Sequence, residues 1–165
     1  MAVWLPVNAK IRELGDSYTY ELGRFRSVER ALARNPIQRE QYRAFMQEYE
    51  STLRHVTKIR QGRITEGYYL PHHAVRKEDS LTTKLRVVFG ASAKTSTGLS
   101  LNDALMTGPT IQDDLFTILT RFRKHKFVLT ADIAKMYRQI QVDPSDRHYQ
   151  RILWRDDPTK PVQTY

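Results

Sequence analysis

The chain has 165 residues, 40% hydrophobic, 10% aromatic and 27% charged, which suits one globular domain and excludes collagen-like, low-complexity and disordered classes. It has no cysteine, so disulfides, thiolate nucleophiles and cysteine-ligated zinc or iron–sulfur centres are excluded, and no apolar run approaches the roughly 18 residues of a membrane span. The 27 Lys and Arg against 18 Asp and Glu leave a net charge of +9, which favours polyanionic partners.

The basic excess lies towards the front, at +5 over residues 1–64, +3 over 65–127 and +1 over 128–165. The opening Met1-Ala-Val-Trp-Leu-Pro6 has neither the basic nor the apolar region of a secretory leader. An intracellular protein with no membrane partner is expected.

Residues 17–34 place Leu22, Phe25, Val28 and Leu32 at helical spacing. Asp16-Ser17 reads as the start, and Asn35-Pro36 stops that helix and opens the next. In the second helix Tyr42, Phe45, Met46, Tyr49 and Leu53 form one stripe, a pattern of core packing more than of a cofactor box. From Gly67 the signals become those of strands. Tyr68 to Val75 and Leu85 to Phe89 flank a polar connection over 76–84 and predict a hairpin with a basic tip. His72 and His73 are adjacent, so on a strand they face opposite ways and do not suit one metal ion.

Residues 90–108 read as loop. Thr110 then reads as a helix cap, with Asp113 closing a capping box, and Ile111, Leu115, Ile118, Leu119 and Phe122 give a clean apolar face. Asp113 and Asp114 are helix-start charges favoured by the dipole. After the basic cluster Arg121, Arg123, Lys124 and Lys126, Phe127 to Ala131 predicts a buried strand ending on Asp132. A turn with Tyr137 and Ile140, a strand over 148–154, a broken stretch over 156–161 and the start of a strand at Val162 to Tyr165 complete the chain.

A carboxylate at the end of an apolar strand suits a hard cation such as magnesium, and the same placement suits a helix N-cap. Residue types alone leave both open for Asp132. The string Phe127-Val-Leu-Thr-Ala-Asp132-Ile-Ala-Lys-Met-Tyr137-Arg-Gln-Ile140 resembles the first catalytic motif of the palm of reverse transcriptases. Five further phrases resemble the Pol polyprotein of BEL/Pao-type LTR retrotransposons, in order: Tyr68-Tyr-Leu-Pro-His-His-Ala-Val75, Thr82-Thr-Lys-Leu-Arg-Val-Val-Phe89, Ser100-Leu-Asn-Asp103, Gly108-Pro-Thr-Ile-Gln-Asp-Asp-Leu115 and Tyr149-Gln-Arg-Ile-Leu-Trp154. Leu14-Gly-Asp16, Arg24 to Arg30 and Asn35-Pro36 resemble the stretch of those polyproteins between protease and polymerase, so the likeness covers nearly the whole chain.

The resemblance implies an α+β chain forming part of a right-hand polymerase fold: a helical connector over 1–64, a fingers-like part over 65–127, and the first palm strand and helix over 128–165. It implies RNA-directed DNA polymerase activity, with two Mg2+ ions activating the primer hydroxyl and holding the nucleotide triphosphate. Asp132 would bridge both ions, helped by the Ile133 carbonyl. The amides of Lys135 and Met136 would face the triphosphate, and Tyr137 would exclude a ribose 2′-hydroxyl, its alternative role being core packing. Arg86 and Lys84, with either Lys77 or Arg76 from the hairpin connection, would supply cations to the incoming nucleotide; the alternative is a solvated edge.

The implied partners are an RNA or DNA template-primer, deoxynucleotide triphosphates and the rest of the Pol polyprotein, in a cytoplasmic virus-like particle. At Gly90 the family pattern more often has Asp. The second and third palm motifs, the latter an aromatic-x-Asp-Asp turn, are expected beyond Tyr165, so inactivity of this chain alone is expected. Asp156-Asp157 is no substitute, because Pro158 and Pro161 follow and only 24 positions separate Asp156 from Asp132. The alternative is a non-catalytic nucleic-acid-binding or decayed transposon remnant.

Overall fold

The computed structural model describes residues 2–52, 58–59, 67–76, 85–133 and 136–165. The first strand, β1 (Ala2–Val3), leads through a 3-10 turn at Ala9–Glu13 into helices α1 (Tyr18–Ala33) and α2 (Pro36–Gln47). Asp16 starts α1, its Oδ1 accepting from the Tyr18 amide at 2.9 Å, while Ser17 sits at the cap position without a capping bond. Asn35 caps α2 by accepting from the Gln38 amide at 3.0 Å, with Pro36 at its first position. Helix α1 therefore begins and ends, and α2 begins, where the sequence signals them; α2 ends at Gln47, short of the expected stripe, whose Leu53 lies outside the described residues.

Helix α2 runs on into a π-helical turn at Glu48–Thr52, which carries the Tyr49 ring to within 5.6 Å of Phe89. Strands β2 (His72–Arg76) and β3 (Leu85–Phe89) form the expected antiparallel hairpin, with His72 opposite Phe89 and Arg76 opposite Leu85. Alternation is as the sequence predicts: His72 is buried and His73 exposed, while Leu85 and Val87 are buried between exposed Arg86 and Val88. The connection 77–84 lies outside the described residues.

The stretch read as loop over 90–108 contains a one-turn helix, α3 (Leu101–Ala104). A reciprocal capping box nucleates it: Asp103 accepts from the Ser100 amide at 2.8 Å, and the Ser100 hydroxyl accepts from the Asp103 amide. Helix α4 (Leu115–Phe122) starts later than Thr110 predicts. Its cap is Asp114, which accepts from the Thr117 amide at 2.8 Å, and Asp113 instead pairs with Arg121. A short carboxylate one residue before the apolar run serves the orphan amides directly, so the Thr110 box is not used.

Beyond a 3-10 turn at Met136–Gln139, β4 (Gln141–Val142) runs parallel to β1, and β5 (Leu153–Trp154) pairs with β6 (Gln163–Thr164). The strand expected over 148–154 is shorter, because Arg147–Gln150 forms a 3-10 turn. The strand start at the end of the chain is present as β6. Helices and three two-stranded sheets thus make a mixed α+β chain.

One core joins all these parts. Phe25 and Leu32 from α1, Tyr42 and Met46 from α2, Tyr68 to Leu70, Leu85 and Val87 from β3, Leu101 from α3, and Ile152 to Trp154 pack together. The Trp154 indole lies stacked on Tyr42 at 5.3 Å with Phe25 edge-on at 6.1 Å, and its Nε1 donates to Asp156. Gly67 (φ +94°) turns the chain into this core; a Cβ there would stand 2.0 Å from the His148 carbonyl oxygen, which accepts from the Tyr68 amide at 2.9 Å.

Residues 107–140 leave this core and return to it, and no described side chain in that stretch is buried. The N-terminal strap holds both ends. Pro6 accepts from the Met106 amide at 2.7 Å, and Val3 accepts from the Asp143 amide at 2.8 Å.

Candidate functional site

Asp132 lies on the returning limb of that excursion. The strand expected over Phe127–Ala131 is absent: residues 128–133 are irregular, Phe127 is 83% and Leu129 96% exposed, and Asp132 itself is exposed. An apolar segment becomes a strand only when a neighbouring strand takes up its backbone groups, and no described strand pairs with it. The apolar face of α4 is bare in the same way, with Leu115 70% and Leu119 51% exposed. Together Ile118, Phe122, Phe127, Val128 and Leu129 line an open hollow of about 380 Å³, and the Lys126 ammonium stands 5.6 Å from the Phe127 ring centre.

Among the described residues Asp132 has no hydrogen bond or ion pair, and no three carboxylate or imidazole groups converge anywhere. Magnesium requires six oxygen ligands in near-octahedral array, drawn from carboxylates, water and substrate phosphates. One carboxylate offers an anchor for a single ion and cannot organise a pair of ions. The described residues therefore do not form a two-metal centre.

Of the other residues singled out, Ile133, next to Asp132 in the chain, and Met136 are exposed, and Tyr137 falls in the 3-10 turn, its side chain outside the described part. Arg86 is exposed on β3, opposite Val75, and no described interaction joins it to Asp132. Lys77, Lys84 and Lys135 lie outside the described residues. At Gly90 an added Cβ would meet Pro71 at ordinary van der Waals distance, 3.7 and 3.8 Å, so the backbone there leaves room for the first atom of a side chain. Asp156 accepts from Trp154 Nε1 at 3.1 Å and Asp157 accepts from the Thr159 amide at 2.9 Å.

A buried polar cluster lies between α1, α2 and β2. His72 Nε2–H donates to the Leu153 carbonyl at 2.7 Å, because a carbonyl only accepts, and the Tyr42 hydroxyl donates to His72 Nδ1. Burial holds the His72 ring below its ordinary pKa, opposed by the Leu153 bond, so the neutral tautomer fits this relay. Glu21 is 1% exposed, and among the described residues its Oε2 has no hydrogen-bond partner. Burial pushes its carboxyl up to about 8 against the pull of Arg24, and burial together with Glu21 raises the Tyr42 phenol. The signal in the sequence is position: Glu21 lies four residues before Phe25 and eleven before Leu32, on the buried stripe of α1.

No family model, curated protein or solved structure matches the chain.

Proposed function

We propose that the chain is the connector, fingers and opening palm portion of a retrotransposon RNA-directed DNA polymerase, with Asp132 as one carboxylate of its magnesium site. The observation that carries this reading is the ordered run of motifs ending in Phe127-Val-Leu-Thr-Ala-Asp132. The bare apolar face of α4 and the unpaired segment before Asp132 support it, since a palm separated from its remaining strands leaves such surfaces open. Template-primer, deoxynucleotide triphosphates, Mg2+ and the rest of the Pol polyprotein, in a cytoplasmic particle, are the partners it requires. Arg86, with Lys84 and Lys77, then meets the triphosphate, and Tyr137 checks the sugar.

The test is the transcript beyond the codon for Tyr165. A frame that continues into an aromatic-x-Asp-Asp hairpin is expected, and its product extends a primer with magnesium and loses that activity in Asp132→Asn. The 165 residues alone are expected to extend nothing; extension by them, lost in Asp132→Asn, overturns the view that they are inactive alone. The lone exposed carboxylate favours a second reading, a non-catalytic nucleic-acid-binding remnant, and a stop codon directly after Tyr165 decides for it.

A further inference from the structure

Arginines crowd the helical layer, and most have an acidic counterpart. Arg155 grips both carboxylate oxygens of Glu29, at 2.7 and 2.8 Å. Arg43 stands 3.9 Å from Asp156, Arg39 lies in the field of Asp157, and Arg24 in that of buried Glu21. Arg26, Arg30 and Arg34 are different. They fall at i, i+4 and i+8 on the exposed side of α1 and its C-cap, and none is paired with a carboxylate among the described residues. Arg30 Nη2 is steadied by the Ser27 hydroxyl at 2.8 Å.

Like charges at i, i+4 oppose helix formation, so this stripe weakens α1 unless an anion meets it. On one flank of the arginines the helix carries the small residues Gly23, Ser27 and Ala31, and Tyr20, 51% exposed, lies towards its start. We propose that the Arg26–Arg30–Arg34 stripe, with the Tyr20 ring, is a docking surface for the phosphate backbone of a single-stranded nucleic acid. At 1.5 Å per residue the arginines span about 12 Å, a reach of about three phosphates of a strand. Small residues let the strand approach the helix, and an exposed ring beside guanidinium groups suits an unstacked base. A membrane surface is disfavoured, because the stripe has no row of apolar side chains to insert. The inference goes beyond the polymerase reading and holds whether or not the chain polymerises.

The experiment is a salt titration of the full chain binding a fluorescent single-stranded RNA oligonucleotide. The triple variant R26Q/R30Q/R34Q is expected to lower the slope of log affinity against log salt by about 2, at about 0.7 per phosphate, and R30Q alone by about 0.7. R39Q/R43Q, which removes arginines that already face carboxylates, is the control and leaves the slope nearly unchanged. The triple variant should melt no lower than wild type, since exposed like charges are removed. An unchanged slope in the triple variant, an equal fall in the control, or loss of binding to phosphatidylserine vesicles without loss of RNA binding overturns the proposal.

Discussion

Replacing Glu21 by Gln tests the buried cluster most directly. A carboxyl whose folded pKa is raised favours the protonated folded state, so stability is full below the ordinary value of 4.5 and falls as pH rises towards about 8. At about 1.4 kcal/mol for each pH unit, that span corresponds to a loss of about 5 kcal/mol above pH 8 and about 3 kcal/mol at pH 7. Glutamine keeps the shape and removes the titration, and burying its amide costs about 1–3 kcal/mol. The variant is therefore expected to be more stable than wild type by about 2–4 kcal/mol at pH 8, and less stable by about 1–3 kcal/mol at pH 4. His72 titrates in the opposite sense: its pKa is lowered by burial, so its contribution is gained as pH rises towards 6.5. The difference between variant and wild type, measured by urea unfolding at pH 4, 6 and 8, isolates Glu21. A difference that does not change with pH refutes the reasoning.

Two further substitutions test the local arguments. His72→Phe should keep most of the ring packing against Trp154 but strand the Tyr42 hydroxyl and the Leu153 carbonyl; a loss of about 2–4 kcal/mol in chemical denaturation is expected. Gly67→Ala should destabilise by about 2 kcal/mol or more, because it combines a positive φ with a close approach to His148, whereas Gly23→Ala on the open side of α1 should stabilise by about 0.5–1 kcal/mol; thermal melts of the two report opposite signs.

Local chemistry was legible from residue order. Asn35-Pro36 needed only its own amides and ring to end one helix and begin the next, and the alternation of Leu85 to Phe89 needed only a pleat with one buried side. The capping box at Ser100 is equally local, and a composition rich in Ser, Thr and Gly concealed it.

The site was legible as a motif and not as a place. Phe127 to Ala131 has the composition of a buried strand, but a strand exists through its neighbour, and no sequence window contains that neighbour. The amphipathic pattern of α4 likewise fixes which side is apolar without supplying what covers it. Glu21 stands at a core position of its helix, yet only the packing of α2 and the Tyr68 segment against that face turns position into desolvation. The sequence by itself determined helices, caps, hairpin and charge, because these follow from interactions within a few residues. Tertiary structure alone decided which apolar faces are covered, which carboxyl is desolvated and which arginines face no carboxylate among the described residues, because each depends on groups far apart in the chain.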